Sequence, residues 1–180
     1  MAVFTLGALT TVPVSARPAL VAPPVWQAIE ALGLQDAVGV VEIDPPQSDT
    51  AATQQTYGLD ATTLANCVVV AGRREGQERV AACVVLASTR ADVNTVVRQR
   101  LDVRKSSFLP MERAVEETGM EYGGITPIGL PAAWPVLIDG RVAAAPAVII
   151  GSGIRRSKLI VPGALLAQLP GSEVIEGLAS

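Results

Sequence analysis

The sequence predicts an α/β fold: a single domain built on a mixed, mostly antiparallel sheet with helices packed on its faces. Three observations lead there. Of the 180 residues 49% are apolar but only 3% aromatic, so the core must be made from Val, Leu, Ile and Ala, a mix that suits sheets covered by helices. Two Val-rich runs, 67–71 and 80–86, flank a polar turn and read as an antiparallel hairpin that is apolar on both faces. Around that hairpin strand and helix signals alternate, with no linker, internal repeat or Rossmann fingerprint, and the length suffices for one sizeable core.

Residues 1–23, rich in Thr and Pro, read as an extended arm packed on a domain that fills 24–180. Pro23 and Pro24 open a helix over 25–33, where Val25, Ile29 and Leu32 share one face and Gly33 ends it. A strand at 38–43 is stopped by Asp44-Pro45-Pro46. Ser48 or Asp49 then caps a second helix through Tyr57, with Gly58 as its C-terminal stop. A hairpin centred near Glu75 would set Cys67 opposite Cys83. Ser88 or Thr89 is expected to cap a helix through Arg100, followed by a short edge strand at 104–108. Pro110 opens a helix over 111–118 that Gly119 closes. Strands are expected at 134–138, 147–150 and 158–161, then a last helix from Pro162 to Leu169 and a closing strand at 173–175.

The chain contains no histidine, which excludes a Ser-His-Asp triad, a Cys-His pair and His-bound zinc. Cys67 and Cys83 are too few for a zinc ribbon and too far apart for a Cys-x-x-C motif, so no metal or other cofactor is expected. Both read as small buried hydrophobes. A net charge of −3 and a pI near 5 argue against a broad nucleic-acid-binding face, DNA included, and confine any RNA contact to local clusters. Those clusters are Arg98, Arg100, Arg104 and Lys105, and Arg155, Arg156 and Lys158; a solvated face is the simpler reading of both. Nothing at the N-terminus reads as a secretory signal, and the longest apolar stretch, 142–150, has about half the ~20 residues of a membrane helix. A cytoplasmic protein with no membrane contact is expected. Glu116 and Glu117 read as solvent-facing helical charge, and Tyr57 and Tyr122 as packing residues with a polar tip.

The most informative segment is 122–131, Tyr-Gly-Gly-Ile-Thr-Pro-Ile-Gly-Leu-Pro. Three glycines and two prolines after a helix suggest a built pocket wall. Gly123, Gly124 and Gly129 let a ligand approach main-chain N–H groups, and Pro127 stiffens the turn between them. Thr126 offers its hydroxyl to a ligand or to the loop's own backbone. Asp139-Gly140 is a turn pair or a ligand contact, and Gly151-Ser152-Gly153 is a pocket wall or a bulge between strands.

The segment resembles the Gly-x-x-x-Pro run of the YbaK/ProX-type family of aminoacyl-tRNA deacylases, with Gly123 as the glycine and Pro127 as the proline. The resemblance extends from the helix at 48–57 to the end of the chain: Gly58, the hairpin, the loop 123–129, Val136-Leu137-Ile138-Asp139 and Gly151-Ser152-Gly153 follow in the family's order. It implies a YbaK/ProX-like editing domain over 24–180 that hydrolyses, without a metal or cofactor, the ester joining a mischarged small amino acid to the 3′ end of tRNA. It also implies that Gly123, Gly124, Thr126, Pro127, Gly129, Asp139, Gly151, Ser152 and Gly153 line the substrate, and leaves a homodimer open as an assembly. The family carries a lysine, then Thr or Ser, just before the Val-rich strand. Here Leu64-Ala65-Asn66-Cys67-Val68 puts Asn66 in that place, beside the scissile ester, and asparagine supplies neutral hydrogen bonds where lysine would supply a cation.

Three readings follow. In the first, an active editing enzyme, Asn66 orients the substrate while hydrolysis leans on backbone groups and the substrate's ribose hydroxyl, or Lys105 reaches in from a neighbouring strand. In the second, the fold is a non-catalytic module that binds a tRNA end, a small ligand or a protein partner. In the third, Cys67 is the nucleophile of another esterase, a weak one without a histidine to activate it.

Overall fold

In the computed structural model, which describes residues 3–180, the strands divide between two principal sheets. Met1 and Ala2, the start of the expected arm, lie outside the described residues. A small hairpin of β1 (Thr5–Leu6) and β2 (Leu9–Thr10) leads to β3 (Val12–Pro13), α1 (Pro23–Ala31) and β4 (Gly39–Glu42). After α2 (Thr50–Tyr57) comes the long hairpin of β5 (Ala65–Arg74) and β6 (Gln77–Leu86), then α3 (Arg98–Leu101), β7 (Ser106–Phe108) and α4 (Met111–Thr118). The rest of the chain forms β8 (Val136–Asp139), α5 (Gly140–Ala143), β9 (Val148–Gly151), β10 (Ser157–Val161), α6 (Gly163–Ala167) and β11 (Ser172–Ile175).

One sheet has the order β3-β4-β10-β9 and is antiparallel throughout; the other runs β11-β8-β6-β5-β7. Pairing is mostly antiparallel, with β8 parallel to both β6 and β11. The expected α/β architecture is therefore present, but in two sheets linked by a parallel bridge between Leu64 and Ile149. The reason lies in the hairpin. Strands that are apolar on both sides need cover on both sides. On one side Val84, Ile138, Val40, Ile150 and Leu159 from the two sheets pack with Val25 and Ile29 of α1 into one core. On the other, Val70, Cys83 and Leu137 are covered by Val97 and Leu101. Residues of the N-terminal stretch join the first core through Val14, Leu20, Val21 and Ala22.

Local signals explain most boundaries. The Asp49 carboxylate accepts from the Ala52 N–H at 2.9 Å and caps α2, and Gly58 closes that helix at φ +65°, a left-handed conformation that favours glycine. Two expectations are corrected. Cys67 and Cys83 are not opposite: Cys67 pairs with Val84 and Val68 with Cys83, because the turn is the two-residue Glu75-Gly76, both with positive φ, and its centre falls half a residue later than Glu75. No helix starts at Ser88 or Thr89 either. The Thr89 hydroxyl bonds back to the Leu86 carbonyl, and Arg90 and Ala91 are tied to Ser180 and Ala179 at the chain's end. The helical segment begins instead at Asp92, whose carboxylate accepts from the Thr95 N–H, as a π-helical turn over Val93–Val97 that runs into α3.

Candidate functional site

A cavity of about 350 Å³ opens where the start of β5 meets the β9–β10 pair. β5 lines it with Ala65, Asn66, Cys67 and Val68, and β9 and β10 with Gly151 and Lys158. Ser48, Asp49 and Thr50 close it from the start of α2, and Tyr122, Gly123, Ile125 and Arg155 from two loops. Sequence distance has vanished here. Residues from six separate elements and loops face one space.

Glycines make that convergence sterically possible. The loop after α4 and the turn after β9 are joined by main-chain bonds, Glu121 N–H to Gly153 O at 2.8 Å and Gly153 N–H to Gly124 O at 2.7 Å. A Cβ on Gly151 would lie 2.5 Å from the Gly124 carbonyl oxygen and 2.8 Å from that of Ile125, so only glycine lets the loop settle on β9. Gly123 adopts φ +82° and its main-chain N–H has no partner among the described residues. The Gly124 N–H, by contrast, is used within the loop, donating to the Glu121 carbonyl.

The polar groups of the cavity are unusually short of partners. The Thr50 hydroxyl donates to the side-chain oxygen of Asn66, a residue of the cavity lining, at 2.7 Å, which orients the amide and leaves its NH₂ group as a donor. The Ser48 hydroxyl is buried with no hydrogen-bond partner among the described residues. Lys158, only 9% exposed, has no ion-pair partner within 4.0 Å among the described residues. Burial, with the nearby Arg155 guanidinium, pushes its ammonium down to about 8 against a weaker pull from Asp49. The Arg155 guanidinium contacts the Tyr122 carbonyl at 3.4 Å. The cavity is thus electropositive in an acidic protein, and every donor in it is neutral except these two cations.

The residues singled out in the sequence divide into groups. Asn66, Gly123 and Gly151 line this cavity, while Gly124 supports it through the backbone contacts above. Ser152 is fully buried with its hydroxyl 2.7 Å from that of Ser157, and Gly153 packs against Ala22; both shape the turn without facing the cavity. Thr126 is fully buried, outside the cavity's lining, and its hydroxyl has no partner among the described residues. Pro127 and Gly129 line a second, apolar cavity of about 290 Å³ with Leu130, Trp134 and residues of α1. Asp139 stands apart from both. It caps α5, accepting from the Arg141 N–H and guanidinium and from the Ala179 N–H. Burial alone would raise its carboxyl, but those hydrogen bonds hold it below the usual carboxylate range.

Other expectations are corrected by position. Lys105 is exposed beside β7 and lines a different surface hollow with Arg104 and Arg113, so it does not reach Asn66. Burial pushes the Cys67 thiol well up, which opposes formation of a nucleophilic thiolate. Tyr122 is 55% exposed at the cavity rim and is not a packing residue, whereas the Tyr57 hydroxyl accepts from the Asp44 N–H. Lys158 belongs to no solvated face. Its signal in the sequence is a lysine inside the apolar run Ser157-Lys158-Leu159-Ile160-Val161, where long cations rarely settle without a partner. Ser48 was visible as an alternative cap; with Asp49 in that role, its hydroxyl is left over. Among the described residues no three His, Cys, Asp or Glu side chains gather as a metal site requires.

No curated protein matches the chain. Among solved structures, a hypothetical protein superposes with a TM-score of 0.75 at 20% identity, over 87% of this chain and 99% of its own. A proposed trans-editing enzyme for prolyl-tRNA synthetase gives a TM-score of 0.72 at 22% identity, over 92% and 98%. A scaffold from a study of computational epitope grafting gives 0.72 at 21% identity, over 86% and 95%. At these identities the likeness is one of fold. The family model for the aminoacyl-tRNA editing domain matches residues 44–169. That span covers well over half of the chain and takes in Ser48, Asn66, Gly123, Gly151 and Lys158 together, and the chain accordingly belongs to the aminoacyl-tRNA editing domain family.

Proposed function

We propose that this protein hydrolyses the ester that joins a mischarged small amino acid to the 3′ end of tRNA, and does so without a metal. The observation that carries the reading is the convergence of Asn66, Gly123 and Gly151 with the unpaired Ser48 and Lys158 on one cavity. Its volume lies at the small end of ligand sites, enough for an aminoacyl group and part of its ribose. Ala65, Cys67, Val68 and Ile125 give it an apolar side that suits a small uncharged side chain. Discrimination is then by size, with larger amino acids excluded. The Asn66 amide and the Ser48 hydroxyl supply neutral donors for the ester carbonyl and the ribose hydroxyls.

The reaction is simple in its balance. Water adds to the ester carbonyl carbon, the bond from that carbon to the ribose oxygen breaks, and one water proton ends on the ribose oxygen. The products are a free amino acid and tRNA with its terminal hydroxyl restored. A panel of tRNAs mischarged with small amino acids tests the reading: release of at least one amino acid above the uncatalysed rate is expected. No release from any member, with binding of the tRNA retained, would replace it by the binding-module reading.

A further inference from the structure

The least expected feature of the cavity is its charge. β10 is the second strand from one edge of its sheet, flanked by β4 and β9, and its other residues are fully buried, Leu159, Ile160 and Val161 among them. A lysine at such a position is normally matched by a carboxylate. Here, among the described residues, none lies within 4.0 Å of the ammonium. Asp49, the nearest acid in effect, is exposed, and its carboxylate is committed to the cap of α2. The other titratable groups lining the cavity are Arg155, which repels the ammonium, Cys67, whose thiol burial pushes well up, and Tyr122, and none of these is a carboxylate. Across the same space the buried Ser48 hydroxyl also waits without a partner. A buried residue whose cation lacks a carboxylate partner and a buried hydroxyl without a partner, both lining one cavity, describe a place prepared for an anion that arrives with the ligand.

We infer that Lys158 is the charged catalytic group of this site, its ammonium receiving the negative charge that forms on the carbonyl oxygen when water adds to the ester. The inference rests on the reading of the cavity as the ester site and names the group that does the electrostatic work there. Asn66, oriented by Thr50, then positions the ester and carries no charge of its own. A cation entering from β10 thus supplies what the asparagine on β5 cannot. Lys158 pairs with Gly151 on the β9–β10 ladder and shares the cavity with Gly123, so the β10 side of the cavity carries a charge while the β5 side stays neutral and largely apolar.

Two measurements test it. In single-turnover deacylation, Lys158→Met is expected to lower the rate constant about 10²–10³-fold, the scale of a lost oxyanion donor, with substrate affinity changed less than threefold. Lys158→Arg should recover part of the loss. The wild-type rate, corrected for uncatalysed hydrolysis, should fall above pH 8 as the ammonium loses its proton, and the residual Lys158→Met rate should not. Removal of a buried unmatched charge is compatible with folding, and a thermal melt checks that the variant is intact. Lys158→Met at wild-type rate would overturn the inference.

The second measurement needs no turnover. An aminoacyl-adenosine analogue with an anionic phosphonate in place of the ester carbonyl should bind wild type at least tenfold tighter than the neutral amide-linked analogue, a difference that Lys158→Met abolishes. Equal preference in both proteins would also overturn the inference. If the preference holds but no mischarged tRNA is hydrolysed, the anion site at Lys158 stands and the hydrolytic reading of the protein falls.

Discussion

Lys158 on β10 stands directly across from Gly151 on β9. Partners on an antiparallel ladder share a face, and the missing side chain at Gly151 is what lets the carbonyls of Gly124 and Ile125 lie against that face beside the lysine. Gly151→Ala should therefore push the loop off the sheet. A loss of about 1–3 kcal/mol in stability is expected from overpacking, together with at least a tenfold loss of deacylation. Denaturant unfolding and the single-turnover assay check this; an alanine variant of wild-type stability and rate would show that the close approach is unimportant.

The cost of burying Lys158 should be visible as a pH effect on stability. Its folded pKa, about 8, lies below the ordinary lysine value, so the unfolded chain binds more protons between roughly pH 8 and pH 10. Wild-type stability should rise with pH across that window. Below it the penalty is fully present, and Lys158→Met is expected to be more stable at pH 7 by roughly 1–3 kcal/mol. Unfolding at pH 7 and pH 10 measures both. A destabilised methionine variant would mean that the ammonium has a partner in the folded protein.

Asp139 is expected to act on the fold and not on the site. It is buried, and its carboxylate holds the Arg141 side chain, the start of α5 and the Ala179 N–H near the chain's end. Because its folded pKa is lowered, its contribution is present above the ordinary carboxylate range and lost as pH falls below it. Asp139→Ala should lose roughly 2–4 kcal/mol at pH 7 and much less near pH 2, while the activity per folded molecule is kept. Unfolding at both pH values, with a deacylation assay at low temperature, decides between a structural anchor and a ligand contact.

How far the sequence reached can be judged residue by residue. Asp49, Gly58 and Gly119 announce their helix ends because capping is local chemistry, and all three act as caps. The Val-rich hairpin is equally plain, since apolar content on both faces survives any error in register. The one-residue error at Cys67 and Cys83 came from the turn type, which depends on two positive φ angles that Glu75 does not advertise. Ser88 and Thr89 failed as caps because their backbone neighbours pair with residues about 90 positions later, and no local pattern reports that. The site shows the same split. Asn66 and the glycines stand out as motifs, but Lys158 matters only through what surrounds it, and a lone lysine in a strand carries no such label.

If the cavity works through a cation that has a free choice of strand, the charge should be transferable. Asn66→Lys alone places a second ammonium beside the first, and mutual repulsion should leave the rate no higher than wild type. In the Lys158→Met background, Asn66→Lys should restore at least tenfold of the lost rate. Single-turnover deacylation by the four proteins measures this; a double variant as slow as Lys158→Met would mean that the β5 position does not face the reacting carbonyl.

The placement of the ester itself is tested most directly by a crystal structure with a non-hydrolysable aminoacyl-adenosine analogue. The expected result is the analogue in the cavity between Ser48, Asn66, Gly123 and Gly151, with its carbonyl oxygen within hydrogen-bond distance of the Lys158 ammonium. An analogue seated instead in the apolar cavity beside Pro127, Gly129 and Trp134, with Lys158 untouched, would contradict the site, the role of the lysine and the proposed function together.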